Sequence, residues 1–67
     1  MNLRMVRLNA GLTVAALARE AKIDRKTIDR AESGETISLV KAYAIANALT
    51  RVTGHTYTVQ SLGIETS

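Results

Sequence analysis

The 67 residues, 46% of them hydrophobic, supply one small core and leave too little chain for a catalytic cleft between two domains. With no cysteine there is neither a disulfide framework nor a thiolate metal site, and the lone His55 cannot assemble a zinc site from this chain. A net charge of +3 and a pI near 9.8 admit an anionic partner such as nucleic acid or a membrane surface.

The absence of proline leaves long uninterrupted windows, and the abundant Ala, Leu, Ile, Arg, Lys and Glu favour helix. Leu3, Val6 and Ala10 recur at helical spacing, and Gly11 ends the run as a C-terminal glycine would. This predicts helix one. Thr13 is placed as an N-cap, with Val14, Leu17, Ala18 and Ala21 following at steps of three and four, which predicts a two-turn helix two. Position 16 is Ala, so the Glu that would complete a capping box is missing. After Lys22 and Ile23, Asp24 caps a helix three running from Arg25 to about Glu32 and closed by Ser33 and Gly34. Ser38 caps a longer helix four, with Leu39, Ala42, Ile45, Ala46 and Leu49 as its apolar stripe. The stretch TRVTGHTYT then reads as polar and turn-like around Gly54, and Thr58 caps a last short helix, VQSLG. The expected architecture is a single all-α domain over residues 1–67, a bundle of about five short helices, with no repeat, linker or low-complexity segment.

The opening MNLRMVRLNAGLTVAALARE superficially imitates a secretory leader, having two arginines ahead of an apolar run. Asn9, Gly11 and Thr13 interrupt that run, and two amphipathic helices account for it better. No stretch approaches the roughly 20 apolar residues of a membrane span, so a cytoplasmic location without membrane association is expected.

Helix three is short and polar. At about 100° per residue, Ile28 and Ala31 point one way while Arg25, Lys26, Asp29, Arg30 and Ser33 spread over roughly 140° on the other side. On its own such a face is usually solvated surface. Its neighbour changes that reading, because two short helices joined by about three residues form a helix-turn-helix, which presents its second helix to the DNA major groove. Most basic residues lie in the first half, but Asp24, Asp29, Glu32 and Glu35 are interspersed among them, so an electropositive face has to come from three-dimensional sorting.

The stretch LRMVRLNAGLTVAALAREAKIDRKTIDRAESGE, with IANAL beyond it, resembles the Cro/CI-type (Xre) helix-turn-helix domains of phage repressors and bacterial regulators. The match runs from Leu3 to Leu49 and includes Gly11, Thr13, Ala21, Ile28, Gly34 and Ala46 at family spacing. It departs at Val14, where the family usually carries a polar residue, and the stretch from Arg51 to Tyr57 is longer than the commonest form. The resemblance implies a lambda-repressor-like bundle in which helices two and three meet DNA. Carried onto this chain, it makes Arg25, Lys26, Asp29 and Arg30 the base readers, the same four that the helical wheel exposes. Arg25 and Arg30 suit guanine, Lys26 suits guanine or a phosphate, and Asp29 suits cytosine N4 or an ion pair within the helix.

Thr13, Val14, Lys22, Thr27 and Lys41 are the phosphate candidates, Val14 through its backbone N–H at the start of helix two. Family members pair the equivalent of Glu32 with that of Arg7, which implies a structural Arg7–Glu32 bridge here. Tyr43 and Tyr57 read first as packing residues with a polar tip, and His55 as a solvated loop residue.

Three functions follow as expectations. The first is a sequence-specific regulator of double-stranded DNA, a repressor of phage, mobile-element or bacterial operon type. A protein-interaction module on the same scaffold, such as an antitoxin or antagonist, is second. An excisionase-like architectural DNA binder is third. No enzymatic activity, cofactor or small-molecule substrate is expected, nor an effector-binding domain beside the reading head. A homodimer on a two-fold symmetric operator is the expected assembly, with Val40, Val52, Leu62 and Ile64 as spare apolar candidates for its surface, and a protein antagonist is a further candidate partner.

Overall fold

Four helix starts are written locally, each by a residue whose side chain accepts from the backbone three positions on. Asn2 accepts from Met5 N, Thr13 from Ala16 N, Asp24 from Thr27 N and Ser38 from Lys41 N. The computed structural model describes residues 2–67. Its helices are α1 (Leu3–Asn9), α2 (Val14–Ala21), α3 (Arg25–Glu32) and α4 (Leu39–Thr53). Glycine closes α4, where Gly54 takes φ +78° and its N–H returns to Thr50 O. The end of α2 is less ordinary: Lys22, not glycine, adopts the left-handed conformation there, at φ +58°.

The core is aliphatic throughout. Leu3 and Val6 from α1, Leu17 and Ala18 from α2, Ile28 and Ala31 from α3 and the inner face of α4 bury one another, with α2 packed chiefly on α4 and α3. Alanine carries much of the α4 face, at positions 42, 46 and 48, which lets neighbouring helices approach closely without large side chains between them. Among the described side chains no buried polar atom lacks a hydrogen-bond partner.

Three expectations change at the C-terminal end. Helix α4 does not stop near Leu49 but continues to Thr53, because the threonines that read as loop are accommodated in it. Thr53 Oγ1 donates to Leu49 O at 2.7 Å, and Thr50 Oγ1 accepts from Tyr57 N at 2.9 Å. The fifth helix is a single closed turn. Thr58 and Ser61 bond reciprocally, each backbone N–H to the other's hydroxyl, and Leu62 N donates to Thr58 O, but Gly63 then turns left-handed at φ +68°. One turn fixes several dihedrals for few hydrogen bonds, so a helix this short does not propagate against such a stop.

The third change concerns the spare apolar residues. Leu62 and Ile64 are 1% and 7% exposed, and both belong to the core. The tail folds back to put them there: Leu3 N donates to Leu62 O, Ile37 N to Glu65 O and Ser67 N to Ile37 O, the last two forming a parallel bridge between Ile37 and Thr66. Val40 and Val52 remain exposed, and so does Tyr43, whereas Tyr57 packs against the core.

Candidate nucleic-acid interface

Helices α2 and α3 are joined by residues 22–24, and the left-handed Lys22 makes the sharp reversal. Its N–H still bonds to the end of α2, and Ile23 N reaches Ala18 O, so the connection is closed by backbone bonds. Ile28 at 0% exposure and Ala31 at 5% pin α3 to the core. The opposite side presents Arg25, Lys26, Asp29 and Arg30, all exposed. Neither Arg25 nor Arg30 forms an ion pair with Asp29; among the described residues the ion pairs are Arg7–Glu32 and Arg51–Glu20. Three cations and one carboxylate therefore stand on this face with their hydrogen-bonding groups directed to solvent.

What holds α3 at a fixed attitude is a charged clamp from α1. Arg7 Nε donates to Glu32 Oε2 at 2.6 Å and Nη2 to Glu32 Oε1 at 3.1 Å, a bidentate pair, while Nη1 donates to Leu12 O at 2.9 Å. The guanidinium is thereby tied to α3 and to the α1–α2 loop at once. Both side chains are nearly buried, at 9% and 12% exposure. The hydrogen bond to Glu32 raises the Arg7 pKa further, with the charges of Glu32 and Asp29 adding to it against the cost of burial.

The N-terminus of α2 stands open. Thr13 spends its side chain on Ala16 N, and the backbone N–H groups of Val14 and Ala15 have no partner among the described residues. The Val14 side chain is half-buried against the core, so at this position it is the backbone N–H that stands open. Thr27, one of the phosphate candidates, is turned inward. It is 5% exposed and its hydroxyl donates to the Asp24 carboxylate, so it secures the α3 cap.

Lys41 shares a shallow depression with Arg30, Thr36 and Ser38, a grouping that brings the start of α4 to the edge of α3. Lys22 is not brought to that place. It lines a separate groove between α2 and α4 with Arg19, Asn47 and Arg51. Thr36 and Ser38 were not legible as neighbours of Arg30; only the cap at Ser38 showed in the sequence, and the fold of residues 33–38 decides the rest.

The Asp24 cap responds to acid. The hydroxyl of Thr27 holds its carboxyl below the ordinary carboxylate range, opposed by desolvation and assisted by Thr27 N–H and the charge of Lys41. Between the folded and unfolded pKa values the unfolded chain binds more protons, so this contribution is complete above the ordinary carboxylate pKa and lost as pH falls through the folded one. Asp24→Asn keeps a capping acceptor without the titration. In thermal melts taken from neutral pH into the acid range, the variant is expected to be less stable than the parent near neutrality, where it lacks the ionised carboxylate, and to show a shallower loss of stability in acid, so that the two converge. Identical acid limbs would show that Asp24 does not contribute to them.

No helix among the described residues is long and apolar enough to cross a membrane. A family model described as helix-turn-helix matches residues 3–53, from the start of α1 to the end of α4. Neither a curated protein nor a solved structure matches the chain. The chain belongs to the Cro/CI-type (Xre) helix-turn-helix family, whose members are DNA-binding regulators.

Proposed function

We propose that this helix-turn-helix chain is a sequence-specific repressor of phage, mobile-element or bacterial operon type. It reads the major groove of double-stranded DNA with α3. The observation that carries the reading is the solvent face of α3. Arg25, Lys26, Asp29 and Arg30 are exposed and unpaired, on a helix held by the Arg7–Glu32 clamp. Base readers are useful only on a rigid support, since a side chain that samples many positions loses the register on which hydrogen-bond discrimination depends.

In this reading Arg25 and Arg30 take guanine O6 and N7 in bidentate fashion, and Lys26 takes guanine or a phosphate. Asp29 accepts from cytosine N4 and repels backbone phosphate at wrong sites, which improves discrimination more than affinity. The free N–H groups of Val14 and Ala15 hold one phosphate at the α2 N-terminus, and Lys41 holds another at the edge of α3. The whole chain acts as one reading domain in the bacterial cytoplasm, without catalysis or cofactor. A single recognition helix spans only a few base pairs, so two copies on half-sites about 34 Å apart supply the specificity.

Selection from a random-sequence duplex library at roughly physiological salt tests the reading. An enriched, two-fold symmetric motif is the expected result, with affinity falling steeply as salt rises because phosphate neutralisation releases counterions. Recovery of no motif, with residual binding that only fades with salt, would exclude a sequence reader and point to a protein partner for the α3 face.

A further inference from the structure

The family match ends at Thr53, yet the chain beyond it returns to the edge of the face proposed to meet DNA. Leu62 and Ile64 are sunk in the core, and past them the tail runs beside the loop between α3 and α4. Ile37 N donates to Glu65 O at 3.0 Å, and Ser67 N donates to Ile37 O at 3.1 Å. Both backbone groups of Ile37 are thus taken up by the tail, in a parallel bridge with Thr66. Thr66 N–H itself bonds to no described residue, because in a parallel pairing the bridging partner's own groups point to the other side.

Little else holds that loop. On the α3 side, Ser33 N and Gly34 N return to the last turn of the helix, and Glu35 N bonds to Arg30 O at 2.9 Å. Among the described residues, the only backbone hydrogen bonds of residues 36 and 37 are the two that Ile37 makes with the tail. Burial of Ile37, at 6% exposure, fixes where its side chain goes. The tail fixes the direction in which its backbone leaves for Ser38, the cap from which α4 starts.

Lys41 lies in the first turn of α4, and its N–H donates to the Ser38 hydroxyl at 3.3 Å. The depression beside it is walled by Arg30 of α3, Thr36 and Ser38 of the loop and Ser67 of the tail, and its only charged walls are Arg30 and Lys41. We infer that the tail is a positioning element for the Lys41 phosphate contact. Ser67 N–H and Glu65 O hold Ile37, and through it the start of α4, so that Lys41 stands at a set distance from α3. The inference rests on the proposed DNA reading. A lysine is a point charge on a flexible stem, and one whose helix start also shifts meets its phosphate for a smaller share of the time.

Three substitutions in the full chain separate the backbone bond from its surroundings. Ser67→Pro deletes the donor to Ile37 O. Ser67→Ala keeps that donor and deletes the hydroxyl. Thr66→Pro places a proline where the N–H is unused, as an edge pairing tolerates. Amide hydrogen exchange needs no DNA: Ile37 is expected to exchange about threefold to tenfold faster in Ser67→Pro, and at the parental rate in the other two. Equal rates in all four proteins overturn the tail's hold on the loop.

On the duplex recovered by selection, Ser67→Pro is expected to bind about threefold to tenfold more weakly, by the same factor on duplexes altered at one base pair. Ser67→Ala and Thr66→Pro are expected to bind like the parent. Lys41→Ala is expected to lower the slope of log affinity against log salt by about one, and in that background Ser67→Pro should cost no more than about twofold further. A Ser67→Pro loss that adds in full to that of Lys41→Ala, or that changes base preference, overturns positioning through Lys41. So does parental affinity in Ser67→Pro. A parent that binds no duplex overturns the DNA reading and the tail's role together, whereas a parent that binds beside an unaffected Ser67→Pro overturns the tail's role alone.

Discussion

Glu32→Ala is expected to cost about 3 kcal/mol of folding stability, measured by urea unfolding, because it leaves the nearly buried Arg7 guanidinium without its bidentate partner. A chain of this size holds only roughly 3–10 kcal/mol in total, at about 0.05–0.15 kcal/mol per residue, so the variant is expected to lose a large share of its stability, from about a third to nearly all of it. The loss comes from an uncompensated charge rather than from a missing attraction, and the two causes separate experimentally. Arg7→Met combined with Glu32→Leu removes both charges and fills the space with apolar atoms, and is expected to recover most of the lost stability. A double variant as unstable as Glu32→Ala would show that Arg7 matters chiefly through its bond to Leu12 O. Whatever fraction of Glu32→Ala remains folded is expected to retain the parent's base preference, since the carboxylate does not face solvent with the readers.

Arg25→Ala and Arg30→Ala are expected to leave the fold intact and each to relax sequence preference at its own base pair. Both side chains are exposed and make no ion pair among the described residues, so each substitution changes stability by no more than about 0.5 kcal/mol. A bidentate arginine–guanine contact supplies roughly 1–3 kcal/mol of discrimination, or about five- to 150-fold per position. The two positions are five residues apart on one helix, so they meet different base pairs and their losses should nearly add. Titration of the selected site against duplexes altered at one base pair checks this directly. Each variant should become indifferent to one base pair, and a different one for each arginine. Uniform weakening across all duplexes would instead reassign both arginines to the phosphate backbone.

Much of the helical scaffold is legible along the chain because its determinants are local. Thr13, Asp24 and Ser38 announce three helix starts by side-chain capping, and Gly11 and Gly34 mark stops by their tolerance of positive φ. The exposed face of α3 follows from helical periodicity once Ile28 and Ala31 are assigned to the core. The Arg7–Glu32 pair, twenty-five residues apart, is implied by the family resemblance and by no local signal. The end of α4 and the Val59–Gly63 turn are misread for a related reason. Threonine has a modest helix propensity, yet in Thr53 it is satisfied by a carbonyl one turn back, while the apolar pair Val59 and Leu62 imitates a helical stripe inside a single turn.

Sequence alone therefore determines the helix starts, the helix-turn-helix spacing and the identity of the four exposed side chains on α3, all of them consequences of capping, periodicity and side-chain chemistry within one turn or two. Tertiary structure alone decides that Leu62 and Ile64 belong to the core, that Thr27 serves the Asp24 cap and that Lys41 stands beside Arg30 while Lys22 does not. It also leaves Val40 and Tyr43 uncovered. An apolar residue carries no label for the surface it will meet; that depends on how the tail returns to Ile37 and Leu3, a non-local pairing whose energy comes from burial across the whole core.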